Sequence, residues 1–237
     1  MRSKTHTQAR AARPTGASFS SRGVRALVAA TGLVLAGCLS RPIARTSASA
    51  YADPAAPDSF IVAFETTRGR FDVLARRVLA PASADRLYQL ASHNYYDGAR
   101  IYRVVPRLVA QFGLAADPAV TAIWYAHPLP EELSRAANRR GMVSVARRAP
   151  AGRWGQLFIN LKDNVSFDTL PGVVPPVGEV IGRGMDVVDS LYSGYGEQAP
   201  RGQIWQDSLR MQGEPYVRRN FPLLDAITRA WIAREWR

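Results

Sequence analysis

Seven short apolar runs rich in β-branched and aromatic residues, at 60–66, 70–76, 101–105, 108–112, 142–146, 157–160 and 177–181, alternate with Pro- and Gly-bearing loops. Only two helical stretches lie among them, too few for the strand–helix–strand units of a parallel sheet, so an antiparallel barrel or sandwich is expected. The first two runs flank Thr67-Arg68-Gly69 and read as a hairpin, because glycine supplies the positive φ that a tight connection wants. A helix is expected from Pro81-Ala82-Ser83, with Ala84, Leu87, Leu90 and Ala91 at 3–4 spacing before a stop at Asn94-Tyr95-Tyr96-Asp97-Gly98. A second is expected over 185–192, ending before Gly194. Glu131-Glu132 after Pro130 marks a further helix start. Over 215–236, Val217, Phe221, Leu224, Ile227 and Trp231 share one helical stripe, which predicts a core-packing C-terminal helix.

The front of the chain has a different character. Residues 1–37 carry Arg2, Lys4, Arg10, Arg13, Arg22 and Arg25 and no acid, and 26–35 form an apolar run well short of the ~20 residues needed to span a bilayer. The run ends Leu35-Ala36-Gly37-Cys38, which resembles the lipobox of bacterial lipoproteins. That resemblance implies a signal over 1–37 and a lipid on Cys38, holding the protein at a membrane surface with its domain in water. Leu39-Ser40 lacks the Asp that marks inner-membrane retention, so the periplasmic side of the outer membrane is the expected location. Residues 38–57, small and polar with three prolines, read as a flexible tether. The globular domain is then expected over 58–200 and a helical extension over 201–237.

Composition excludes several classes of chemistry. The net charge of +12 comes from 31 basic residues, 29 of them Arg, against 19 acids. The bases are scattered among acids instead of forming one aromatic-interleaved face, which argues against nucleic acid. One Cys cannot form an intramolecular disulfide, and three His are too few for an intrachain zinc finger. His93 and His127 lie far apart without ligand-like neighbours and read as surface or capping residues. There is no Gly-x-Ser-x-Gly, and Gly182-Arg183-Gly184 lacks the third glycine of a dinucleotide site, so no metal and no cofactor is expected.

One stretch stands apart: Asn94-Tyr-Tyr-Asp-Gly-Ala-Arg-Ile-Tyr-Arg103-Val-Val-Pro106-Arg-Leu108-Val-Ala-Gln111-Phe-Gly113. It resembles the Tyr-Tyr-Asp-Gly, Phe-His-Arg-Val-x-Pro-Gly-Phe and Gln-Gly-Gly motifs of cyclophilin-type peptidyl-prolyl cis-trans isomerases. Further blocks keep the same order: the hairpin at Thr66-Thr67-Arg68-Gly69, Asn138-Arg-Arg-Gly141-Met-Val-Ser-Val-Ala146-Arg147, Gln156-Leu-Phe158-Ile-Asn160 and Gly184-Met-Asp-Val-Val-Asp189. The resemblance covers about 58–195. It implies a mainly β fold, an eight-stranded antiparallel barrel capped by two helices, here with an extra C-terminal helix.

The resemblance also implies the chemistry. Turning a prolyl bond breaks no covalent bond; the barrier of ~20 kcal/mol is amide resonance. A dry apolar pocket and well-aimed donors suffice, which suits a chain poor in acids, bases and ligands. By resemblance Arg103 is the catalytic donor to the prolyl nitrogen and Gln111 orients the substrate backbone. Leu108, Val109, Ala146, Arg147, Gln156, Phe158 and Phe167 bind substrate. The expected partners are proline-containing polypeptides met by a monomer, with the membrane touched only through Cys38.

The chain departs from the motif at Arg107 (family Gly), Leu108 (Phe), Phe112 (Gly) and Ser166-Phe167 (Trp or Phe-Leu), and the loop after Asp168 is long and lacks the pocket His. Two readings follow: an isomerase of exported proteins with weak or selective activity, or a catalytically idle scaffold that binds Pro-containing partners.

Overall fold

The computed structural model describes residues 55–148, 152–169, 174–197 and 206–236; the signal, Cys38 and most of the tether lie outside them. Eight strands form one antiparallel sheet: β1 (Ser59–Thr66), β2 (Gly69–Arg76), β3 (Arg103–Val105), β4 (Val109–Phe112), β5 (Met142–Arg148), β6 (Gly152–Asn160), β7 (Pro176–Ile181) and β8 (Ile227–Trp236). Their spatial order is β3-β4-β6-β5-β7-β2-β1-β8. The sheet curls into a half-barrel whose two ends meet just outside the edge strands. Arg100 bridges Ala226, Ile101 N–H donates to the Asp225 carbonyl at 2.9 Å, and Ile227 N–H donates to the Ala99 carbonyl at 2.8 Å.

Strand alternation fills the inside of the curl. Phe64 stacks on Phe71 and meets Tyr96 and Phe112 edge-on, with centroids between 5.1 and 5.5 Å apart, and all four rings are buried. Burying such rings removes most of their apolar area from water, about 1.5–3 kcal/mol each before geometry is counted. The hairpin forms as expected, with Thr66 opposite Gly69 and Gly69 at φ +121. Gly113, after β4, is required twice over: its φ is +105, and a Cβ there would lie 2.7 Å from the Gly155 carbonyl oxygen.

The helix expected at Pro81 is α1 (Pro81–Ser92), which lays Ala84, Leu87, Leu90 and Ala91 on the core. A helix not anticipated, α2 (Pro118–Tyr125), has Asp117 as its N-cap and buries Trp124. The second expected helix is shorter than 185–192: α3 runs Gly184–Asp189. Packing also begins a little before residue 58, since Ala56 is buried and its N–H donates to Asp85 at 2.9 Å.

Two expectations are corrected. No helix starts at Glu131-Glu132. The Glu132 carboxylate turns instead to the first turn of α1, accepting from Ala82 N–H at 2.6 Å and Ser83 Oγ at 2.6 Å, and pairs with the buried Arg153. It satisfies another helix's orphan donors and a buried cation at once, which outweighs starting a helix of its own. The C-terminal helix over 215–236 is likewise not formed. Beyond α4 (Gln206–Gln212), α5 spans only Glu214–Asn220, and Ile227–Trp236 is β8, paired antiparallel along the whole of β1. Pro222 disfavours helix at Phe221. Without β8 the free edge of β1 would stand unpaired. The apolar stripe was a true burial signal, for Val217, Phe221, Leu224 and Ile227 are all buried, but two kinds of element deliver it. So the segment after 200 is no appendage and the capping helices exceed two.

Asp225 locks this closure. Its carboxylate accepts from Thr67 Oγ1 at 2.6 Å, Arg68 Nε at 2.9 Å and Tyr192 N–H at 2.7 Å, joining the hairpin turn, the segment after α3 and the entry to β8. Asp225→Ala strands these donors, and urea unfolding should show a loss of about 2–3 kcal/mol. A loss below about 0.5 kcal/mol would show that the closure does not depend on it.

Candidate active site

The outer face of β3, β4, β5 and β6 carries a row of polar groups beside a small apolar cluster. Along β4, Ala110 and Phe112 enter the core, so Val109 and Gln111 face outward. The same period of two puts Gln156, Phe158 and Asn160 on the outer face of β6 and Ser144 and Ala146 on that of β5, while Leu157, Ile159, Val143 and Val145 pack inside. Register then sets the neighbours: Arg103 lies opposite Gln111, and Gln111 opposite Phe158.

Hydrogen bonds fix the polar half. Arg103 Nη1 donates to Gln111 Oε1 at 3.1 Å, and Gln111 Nε2 donates to Gln156 Oε1 at 3.3 Å. Gln156 Nε2 donates onward to Gln206 Oε1 at 3.5 Å, which also accepts from Arg148 Nη1 at 3.0 Å. Gln111 and Gln156 each accept on the Arg103 side and donate away from it, which sets one orientation for both amides, and Gln206 accepts at the end of the row. The other edge of the Arg103 guanidinium meets Glu197: Nε donates to Oε1, and Nη2 to Oε2 at 2.9 Å. Arg103 is a mostly buried side chain, 17% exposed, and Glu197 is 35% exposed.

Beside this row lies a small apolar cluster of Val109, Ala146 and Phe158, with Leu108, Phe167 and Val174 packed on it. Phe167 meets Phe158 edge-on at 5.7 Å. Below it, Asn138 is fully buried; its Nδ2 donates to Asp168 Oδ1 at 2.8 Å and to the Val174 carbonyl at 3.0 Å. Its Oδ1 accepts from Ser144 Oγ at 2.8 Å and Asn160 Nδ2 at 3.1 Å. Asn164 Nδ2 in turn donates to the Leu108 carbonyl at 2.9 Å and to Asn160 Oδ1 at 2.8 Å. The three asparagines thus tie the loops carrying Leu108, Phe167 and Val174 to the sheet.

Of the residues expected here, Arg103, Gln111, Gln156, Leu108, Val109, Ala146, Phe158 and Phe167 come together. Arg147, expected as a backbone contact, follows Ala146 on β5, and its guanidinium turns away to pair with Glu131. His93 and His127 stand at the C-terminal ends of α1 and α2, with Nδ1 of each ring 2.8 Å from a carbonyl one turn back. Glu197 and Gln206 were not anticipated, because no local pattern marks them and their partners lie far away along the chain. Among the described residues no group of three or more His, Cys, Asp or Glu side chains is placed to hold a metal ion, and no helix is long and apolar enough to cross a membrane.

Residues 61–206 match the family described as cyclophilin type peptidyl-prolyl cis-trans isomerase/CLD. The chain belongs to this cyclophilin-type isomerase family. A peptidyl-prolyl cis-trans isomerase of Acinetobacter baylyi is 30% identical over 135 residues, 55% of this chain and 71% of that protein. A peptidyl-prolyl cis-trans isomerase-like 3 of Gibberella zeae is 29% identical over 133 residues, covering 51% and 75%. In fold, the chain is similar to a Cryptosporidium parvum cyclophilin type isomerase, with a TM-score of 0.52 and 16% identity over 75% of this chain and 99% of that one.

Two departures from the cyclophilin motif now have physical explanations. Phe112, in place of a glycine, points inward and fills the core against Phe64, Phe71 and Tyr96, so it leaves the outer face unchanged. Arg107, also in place of a glycine, keeps the backbone conformation that glycine would favour, with φ +60 in the turn closed by Leu108 N–H to the Val105 carbonyl at 3.0 Å. The long loop after Asp168 returns as Val174, which supplies apolar cover to the cluster.

The asparagine tie predicts a measurable dependence. Asn138→Ala takes the acceptor from the Ser144 hydroxyl and removes one bond each from Asn160 and Asp168, and the domain should lose about 2–4 kcal/mol by urea unfolding. Stability within about 0.5 kcal/mol of wild type would mean that the apolar cluster does not depend on the tie.

Proposed function

We propose that the protein rotates prolyl bonds in exported polypeptides, with Arg103 as the donor to the twisting amide and the Val109, Ala146 and Phe158 cluster as the seat of the proline ring. The observation that carries the reading is the adjacency of an oriented guanidinium to an apolar cluster on one sheet face, Arg103 beside Gln111 beside Phe158. A related fold, the Cryptosporidium parvum cyclophilin type isomerase, has been solved in the presence of the dipeptide Ala-Pro, with a TM-score of 0.51 to this chain.

The chemistry asks for little more. As the amide twists, resonance is lost and the prolyl nitrogen regains a lone pair that accepts a hydrogen bond it could not accept when planar. A donor waiting at that point is stronger in the transition state than in the ground state, which is the condition for lowering the barrier. The apolar cluster holds the ring and keeps water from competing. Gln111 holds the guanidinium by its Oε1, and of its two Nε2 hydrogens one goes to Gln156, leaving the other for the substrate backbone. No proton moves, so the histidines at the ends of α1 and α2 have no part in it.

A protease-coupled assay on an Ala-Pro tetrapeptide tests this. Arg103→Ala should lower turnover about 10²-fold, the size seen when a preorganised donor is removed. Acceleration by the wild type with no loss in Arg103→Ala would refute the donor role. Binding of proline peptides without any acceleration above the uncatalysed relaxation of tens of seconds would favour the scaffold reading.

We also propose that a lipid on Cys38 holds the protein at the periplasmic face of the outer membrane. The support is sequence alone, Leu35-Ala36-Gly37-Cys38 after a basic and apolar leader. Cys38→Ser should leave isomerisation intact and move the protein from the membrane fraction to the soluble one, since the anchor works through buried methylenes of the acyl chain. A processed Ser variant that still pellets with membranes would refute the lipid.

A further inference from the structure

Arg103 belongs to a three-residue strand at the edge of the sheet, paired on one side only. A long side chain on such a strand has many rotamers, and Gln111 restrains only Nη1. The remaining restraint comes from Glu197, in the segment after α3, whose two carboxylate oxygens take Nε and Nη2. This side-on fork fixes the plane of the guanidinium as well as its position, which a single hydrogen bond cannot do. Of its five N–H donors, two go to Glu197 and one to Gln111, leaving one each on Nη1 and Nη2 for a substrate.

A carboxylate against a working cation has two opposed effects: it aims the guanidinium and it neutralises part of the charge. The chemistry decides between them. Twisting an amide creates a lone pair and no net charge, so the barrier depends on where a donor points more than on the field around it. We propose that Glu197 is a positioning residue for Arg103, holding its free donors at the site where the prolyl nitrogen pyramidalises. The inference rests on the reading of Arg103 as the donor.

Because Glu197 acts through Arg103, its removal should change rotation and not binding. In the coupled assay on the Ala-Pro tetrapeptide, Glu197→Ala should lower kcat about tenfold with KM within about twofold of wild type. Glu197→Gln, which keeps one acceptor oxygen and the same shape, should lose less. In an Arg103→Ala background, Glu197→Ala should cost nothing further. Thermal unfolding of both single variants separates a lost fold from a lost aim, and Glu197 lies in a partly exposed segment with no core to vacate. The inference is overturned if Glu197→Ala keeps or raises kcat, or if it lowers kcat equally with and without Arg103. Arg103→Ala at wild-type turnover would remove the donor reading itself, whereas an inactive Arg103→Ala beside an unaffected Glu197→Ala would overturn the role of Glu197 alone.

Discussion

Gln111 and Phe112 are adjacent in the chain and point to opposite sides of one sheet, and the rest of the structure depends on that alternation. Phe112 completes a cluster of buried rings with Phe64, Phe71 and Tyr96. Gln111 stands on the outer face between Arg103 and Phe158. A slip of one residue in β4 would exchange them, emptying the core and burying an amide without a partner. Core packing therefore fixes the register that builds the site, and a rigid interior is what gives the edge-strand arginine a defined neighbour.

Closure of the curl is the second constraint. The two ends of the sheet are 100 or more residues apart in sequence, and they meet through backbone bonds around Arg100 and Ala226 with Asp225 as the tie. Two groups from the chain between α3 and β8 reach the outer face, Glu197 on the Arg103 guanidinium and Gln206 at the far end of the row of amides. Both residues lie at the C-terminal end of the span that matches the family, and they touch Arg103 and Gln156.

Strands showed in the sequence where alternation and turn chemistry agreed, as in the hairpin at Gly69 and the run holding Arg103 and Gln111. The cluster of Leu108, Val109, Ala146 and Phe158 was legible only through a motif, since nothing in spacing brings β4, β5 and β6 together. The last strand carries a helical signature because Val217, Phe221, Leu224 and Ile227 keep a helical period through two elements of different kind; pairing with the edge of β1 is a tertiary demand that no local pattern carries. Glu131-Glu132 misled for the same reason, its second carboxylate being claimed by α1 and Arg153. Glu197 and Gln206 could not be foreseen, as single polar residues acquire meaning only from partners placed by the whole fold.

On the proposed reading this isomerase works by geometry: an apolar seat, a donor with a fixed aim, and no chemical step. The most direct measurement is exchange spectroscopy on a proline peptide at saturating protein, which reads the on-enzyme cis–trans rate separately from affinity. Arg103→Lys keeps the charge and discards the planar fork. The account predicts similar affinity to wild type with interconversion slowed by about tenfold or more. Equal interconversion rates in the two proteins would contradict it, because charge alone would then suffice and the aim of the guanidinium would not matter.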